Sequence, residues 1–291
     1  MFPPGMPRPE LSLALGGLLD GPDASAVSRG CESAVRAGCR SVQVSASERA
    51  TRPREMGRSA RRDLAALVRR HGLTCSGVDL FVPARHLMSP ETIDRAAEAL
   101  LAAAELAGEL GSLTGGRGVL ATALPTGAPN RGADGAKQGD ASKSKALGTI
   151  GQVVAAVVER AAAAGAVVAD HAWAGGDEAS SSWEPLGVKR GVDPAAVVLK
   201  GGDAERAVAV LAETPGRLAA VRLSDLSSEG RVAPGEGELD VFGYAVSIMT
   251  AFRDEAPPPL VVDLRGVKAE GGVAELVERA CNAAGGGSDG G

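Results

Sequence analysis

Residues 217–240 read RLAAVRLSDLSSEGRVAPGEGELD, and this stretch decides the fold. From Arg217 to Leu223 the chain alternates in a β-compatible way, and Ser224 and Asp225 stand where such a strand would emerge. Pro234, Gly235 and Gly237 then break any helix before Leu239 restarts an apolar pattern. A buried strand that ends in charge and runs into a glycine-punctuated loop is the kind of strand end from which α/β proteins build active sites.

Working outward, the same alternation of strand and helix repeats along the chain. Leu11 to Leu15 reads as a strand, followed by a helix over about 23–37 with Asp23 as its N-cap. Arg40 to Ser45 and a helix over about 56–71, closed by Gly72, form the next unit. Leu73 to Phe81 supplies a third strand, and Ser89-Pro90 predicts the cap and first residue of a long Ala-rich helix to about Leu110. Strands four to eight are predicted at Gly118 to Ala123, Ala166 to Asp170, Leu186 to Val192, Leu218 to Leu223 and Leu260 to Leu264. Helices are predicted at 147–164, 203–212 and 242–253, with a last one ending near Cys281. The stretch at about 125–145 has no apolar residue larger than alanine after Pro125 and reads as a loop or disordered insert. Residues 172–184 are too rich in Gly and Ser for a covering helix, so the fifth crossover is expected to be irregular.

Eight strands alternating with helices predict a single (β/α)8 barrel domain over 10–283, with flexible termini at 1–9 and 284–291. The competing doubly wound sheet lacks its nucleotide signals: the first strand leads only into Gly16-Gly17, and Gly115-Gly116-Arg117-Gly118 precedes a strand instead of following one.

Composition limits the function. Apolar residues make up 44% of the 291, but few are aromatic, so the core must be filled by small aliphatic side chains. Net charge is −5, and the one basic run, Arg58 to Arg70, surrounds an apolar stripe of Leu64, Leu67 and Val68 as a solvated helix face would; nucleic acid is not an expected partner. Cys31, Cys39, Cys75 and Cys281 show no metal-ligand spacing and read as buried free thiols of a reducing cytoplasm. The proline-rich start does not resemble a signal peptide, and no membrane association is expected.

In such a barrel the chemistry sits at the carboxyl ends of the strands. Those ends carry Gln43 and Ser45, Asp79, Asp170 and His171, Asp193, Arg222 and Asp225, and Asp263 and Arg265. Carboxylates brought together there repel unless a cation intervenes, either a metal or the guanidinium of Arg222 or Arg265. His171 reads as a general base or ligand, or else as a packed loop residue; His86 reads as lining the mouth from the third loop, and Asp225 as a turn cap or a substrate contact. Trp173 and Trp183 bracket a loop and are expected to cover the barrel end or stack on a sugar.

The order AGAVVADHA, GVDP, RLAAVRLSD with its trailing PGEGELD, and PLVVDLRG, preceded by GCRSVQVS and HGLTCSGVDLF, resembles the xylose isomerase-like barrel family of sugar phosphate isomerases and epimerases. The resemblance implies one divalent metal (Mn, Mg or Zn) and a small sugar or sugar phosphate substrate, in a protein that can form homo-oligomers. It sets Asp170, Asp193 and Asp263 at the family's carboxylate ligand positions and Arg222 in place of its histidine. Asp170, Asp263, Arg222 and His171 are then the catalytic candidates, with Gln43, Asp79, His86, Asp225 and Arg265 as substrate contacts. A guanidinium stays protonated at cellular pH and does not ligate metals. Two readings follow: an isomerase- or epimerase-like enzyme with a degenerate metal site, or a non-catalytic barrel that binds a small polyol, sugar acid or phosphate, or a partner subunit. A repair nuclease of the same fold would need more histidine ligands and a basic groove.

Overall fold

The computed structural model describes residues 8–125, 140–172, 183–252, 255–269 and 272–285, with side chains from 148 onward in the second of these segments. The chain runs β1 (Leu11–Ala14), α1 (Ala24–Arg36), β2 (Ser41–Ser45), α2 (Arg58–Arg70), β3 (Thr74–Asp79), α3 (Ala84–Met88), α4 (Ile93–Thr114), β4 (Val119–Thr122) and α5 (Asp140–Ala163). It continues through β5 (Val167–Asp170), β6 (Lys189–Val192), α6 (Pro194–Leu199), α7 (Ala204–Ala212) and β7 (Leu218–Leu223). A hairpin of β8 (Asp225–Ser227) and β9 (Gly230–Val232) follows, then α8 (Val241–Ala251), β10 (Leu260–Val262) and α9 (Val273–Ala283). Eight of the strands close into a parallel barrel in the order β1-β10-β7-β6-β5-β4-β3-β2. The predicted (β/α)8 barrel is therefore the observed fold.

Local chemistry sets the element ends. Asp23 and Asp203 each accept two backbone N–H groups at the starts of α1 and α7, as the sequence predicts. The predicted Ser89-Pro90 start of α4 is replaced: the helix begins at Ile93, and Ser89 Oγ instead accepts the Glu91 N–H in a tight turn. That turn follows the short helix α3, which the sequence reading did not resolve. The predicted insert at 125–145 is helical from Asp140, and its other residues after Pro125 lie outside the described residues, as do Trp173 and most of both predicted flexible termini. The fifth crossover does not supply a covering helix at its described end, where only a 3-10 turn at Glu184–Leu186 precedes β6.

The strands separate two cores. Leu120, Val168 and Val221 face outward and join the large apolar layer beneath the helices, whereas Val119, Ala169 and Ala220 form a separate buried cluster within the barrel. Because successive side chains in a strand point to opposite faces, these pairs fix which residues at each strand end look into the barrel. On β5 the inward side passes from Ala169 to His171 and leaves Asp170 outward; on β7 it passes from Ala220 to Arg222. All four cysteines are buried and free, and Trp183 is buried, donating its indole N–H to the Pro125 carbonyl at 3.0 Å. Among the described residues no helix is long and apolar enough to cross a membrane.

Helix α4 depends on Gly108, where an added Cβ would collide with the Ala164 carbonyl. Alanine normally favours a helix interior by about 1 kcal/mol over glycine. Here the clash reverses that preference, so Gly108→Ala is expected to destabilise the fold by about 1–3 kcal/mol, measured by urea unfolding.

Candidate functional site at the barrel mouth

Arg222 is fully buried at the end of β7. Its Nη1 donates to Asp263 Oδ2 at 2.5 Å and its Nη2 to Gln43 Oε1 at 2.5 Å, and Nη2 also lies 3.5 Å from Asp79 Oδ2. Arg265 binds the same Asp263 in the forked manner that a planar guanidinium allows, Nε to Oδ1 at 2.9 Å and Nη2 to Oδ2 at 2.7 Å, with Nη1 3.4 Å from Asp79 Oδ1. Arg231, on the hairpin strand β9, adds a third guanidinium 3.4 Å from Asp263. The Phe81 ring stacks beneath two of these cations, 4.7 Å from Arg222 and 4.5 Å from Arg265, where its electron-rich face favours positive charge. Ser45 donates to Asp79 Oδ1 at 2.8 Å.

Three guanidiniums thus meet two carboxylates, Asp79 and Asp263, and the Asp193 carboxylate acts on Arg265 as a third. Burial alone would raise the Asp263 carboxyl, but Arg222 and Arg265 outweigh it and hold the group well below the usual carboxylate range. For His171 burial and the nearby Arg222 charge act together, and the imidazole is held well below its ordinary value, hence neutral. The His171 ring meets Phe81 edge-on at 6.1 Å and packs directly over Gly191, where an added Cβ would collide with it. Neither His171 nitrogen makes a hydrogen bond of good geometry, and Arg222 Nε, Arg231 Nε and Asp79 Oδ2 are likewise buried without a hydrogen-bond partner among the described residues. Buried polar atoms are nearly always paired, so this concentration of unsatisfied ones sets the end of the barrel apart from the rest of the core.

The structure brings together Gln43, Asp79, His171, Arg222, Asp263 and Arg265 as the strand-end pattern predicts, and shows what holds the four other candidates. Asp170 does not share the mouth: the alternation along β5 turns it outward, where it accepts the Leu124 and Ala172 N–H groups at 2.9 Å each and lies 3.9 Å from Arg190. Burial raises its carboxyl, partly offset by those N–H groups and Arg190. Asp193 is bound to the Ser224 hydroxyl. Asp225 clamps its loop, as the turn-cap reading expects: its two oxygens accept the N–H groups of Leu226, Gly235, Gly237 and Leu239 at 2.8–3.0 Å. His86 stands half-buried on α3 and bonds to none of the cluster, while its carbonyl takes the Thr92 hydroxyl. Phe81 and Arg231 were missed; an aromatic two residues past an inward Asp79 is the signal that would have found the first.

A divalent metal requires several donors that converge on one point. Asp263 is enclosed by three guanidiniums, Asp170 faces away and Asp193 is tied to Ser224; among the described residues no three His, Cys, Asp or Glu side chains converge to hold an ion. The donor set among the described residues does not fit Mn, Mg or Zn.

Comparison with known proteins now defines the class. No protein-family model and no curated protein matches the chain. Among solved structures, a xylose isomerase domain protein from Planctomyces limnophilus superposes with a TM-score of 0.67 at 14% identity, covering 96% of each chain. An L-ribulose 3-epimerase matches with a TM-score of 0.65 at 16% identity, over 94% of this chain and 86% of that one. A D-allulose 3-epimerase from Methylomonas sp. gives 0.67 at 14% identity, over 95% of this chain and 97% of that one. The fold is the xylose isomerase-like (β/α)8 barrel. This chain is a variant of that barrel with a buried arginine at the centre of its mouth.

Two predictions follow from the site. Replacing Arg222 by Met takes the central cation from Gln43, Asp79 and Asp263, of which Asp263 alone keeps a short fork to Arg265, and is expected to cost about 3–5 kcal/mol, as urea unfolding would measure. His171 has a folded pKa below its unfolded value of about 6.5, so the unfolded state binds its proton first and stability falls as pH drops below that value. His171→Gln is therefore expected to flatten the loss of stability between about pH 6.5 and 5, a window above that in which Asp263 protonates.

Proposed function

We propose that this chain is a sugar isomerase/epimerase-like barrel in which a guanidinium cluster takes over the role of the metal and binds a small polyhydroxylated anion, a sugar acid or sugar phosphate. One observation carries the reading: buried polar atoms of Asp79, His171 and Arg231 that make no hydrogen bond of good geometry gather at a mouth lined by three guanidiniums. Arg265 and Arg231 are the members with outward access, their side chains 25% and 29% exposed. They offer donors to a carboxylate or phosphate, while the unpaired Asp79 oxygen and a His171 nitrogen accept from hydroxyl groups. The sugar isomerase and epimerase neighbours share the fold and give the polyol class its support.

The unpaired neutral imidazole also favours a catalytic version. His171 takes a proton from the hydroxyl-bearing carbon beside a carbonyl, the electron pair moves to the carbonyl oxygen as an enediolate and Arg265 stabilises the developing charge; the hydroxyl proton then passes from the second oxygen to the first, a carbonyl forms at the second carbon, and His171 returns its proton to the former carbonyl carbon. No metal enters these steps, and the atoms balance within one substrate.

Isothermal titration with gluconate and fructose 6-phosphate against glucose and fructose is expected to show binding of the anions only, weakened about tenfold or more by Arg265→Gln. Equal binding of neutral sugars, or no effect of Arg265→Gln, would overturn the anion site. Carbon-bound hydrogen exchange into the bound compound in heavy water, lost in His171→Gln, separates the catalytic version from a binding barrel.

A further inference from the structure

A second opening lies on the outer side of the barrel rim, between the loop after β2 and the flank of α4. It encloses about 320 Å³, within the range of small-molecule sites of about 300–1,000 Å³. Ala46, Leu80 and Ala102 supply apolar lining, and Arg52, Arg54 and Arg95 bring three guanidiniums to it against the single carboxylate of Glu98.

These arginines are not equivalent. Arg52 is committed to the loop, with Nη1 on Glu55 Oε1 at 2.9 Å and Nη2 on the Ser47 carbonyl at 2.9 Å. Arg54 is exposed, and its nearest carboxylate, Glu55, stands 3.8 Å away. Arg95 is exposed on the first turns of α4 and forms no ion pair among the described residues. Arg52 thus fixes the wall while Arg54 and Arg95 remain able to turn toward a ligand. The surrounding sequence reinforces the charge: residues 48–62 carry six arginines and two glutamates in a chain whose net charge is −5. A positive region this concentrated on an acidic protein raises the local concentration of anions.

We propose that this cavity is a separate binding site for a small organic anion, one with an apolar body and a single phosphate or carboxylate head. The head is held between Arg54 and Arg95, and the body lies on Leu80 and Ala102. A bare inorganic anion would use the charge and leave the apolar lining empty, so the apolar body adds affinity roughly in proportion to the surface it covers. The site is distinct from the mouth but separated from it by little: the Ser47 hydroxyl lies 2.9 Å from that of Ser45, which bonds Asp79. A test must therefore tell the two sites apart.

Phenyl phosphate titrated into the full chain, followed by calorimetry, supplies it. Saturable binding in the millimolar range is expected, tighter than that of inorganic phosphate, about tenfold weaker in Arg95→Gln and unchanged in Arg231→Gln at the mouth. Ala102→Phe, which fills the cavity and leaves the guanidiniums in place, is expected to remove the advantage of phenyl phosphate over inorganic phosphate. Binding that survives Arg95→Gln, binding lost in Arg231→Gln instead, or no binding up to about 10 mM would each overturn the proposal. Arg95 is exposed, and in Arg231→Gln the Asp263 carboxylate keeps its shorter bonds to Arg222 and Arg265, so the barrel is expected to fold in both variants.

Discussion

The buried pair of Arg222 and Asp263 is the constraint on which the mouth of this barrel depends. A guanidinium at zero exposure cannot discharge itself, and the desolvation of such an ion costs several kcal/mol even after relaxation. The surroundings must therefore meet it with charge and hydrogen bonds, and they do so from separate parts of the chain: Gln43 from β2, Asp79 from β3 and Asp263 from just beyond β10. A slip of one residue in any of these strands would turn its contribution to the opposite face. The ion cluster thus gives little net stability but requires one register, and the closed barrel order is what brings its members within reach of each other.

The same alternation divides labour among the carboxylates. Asp79 and Asp263 look inward and are consumed in neutralising arginines, whereas Asp170 looks outward and braces the β4 and β5 loops through backbone N–H groups. His171 takes the inward place that Asp170 leaves. It arrives there uncharged, because a protonated imidazole beside Arg222 in a dry setting would face both desolvation and repulsion. The mouth consequently combines permanent positive charge with a neutral base, a different chemistry from a ring of carboxylates around a metal.

Much of this was legible in the sequence. The eight barrel strands follow from short apolar runs bounded by Gly and Asp, and the caps at Asp23 and Asp203 follow from their side chains' ability to replace a missing backbone acceptor. Which of two neighbours faced inward was not legible at Asp170 and His171, because in VVADHA both flank the strand end and the strand's exact last residue sets the phase. The hairpin of β8 and β9 escaped because its residues, SDLSSEGRV, are polar and short, and its pairing depends on Asp225 gathering a loop fourteen residues long, which no local pattern announces. Arg231 was lost with it. Phe81 was read as the end of a strand and not as the platform under two cations, since cation–π stacking is a tertiary contact between residues far apart in the chain.

The arginines differ in what they can do for a ligand, and the difference follows from how each is held. Arg222 is enclosed on every side and cannot exchange a partner, so it sets the charge of the site without touching what enters. Arg265 holds Asp263 through two short bonds but Asp79 through only one long contact of 3.4 Å. An incoming oxyanion can take over that weak contact while the strong fork to Asp263 keeps the guanidinium plane fixed over Phe81. On the proposed reading this is the step at which the site becomes selective. The anion gains a donor whose orientation is already fixed, and Asp79, relieved of one cation, becomes a stronger acceptor for the hydroxyl groups of the same molecule.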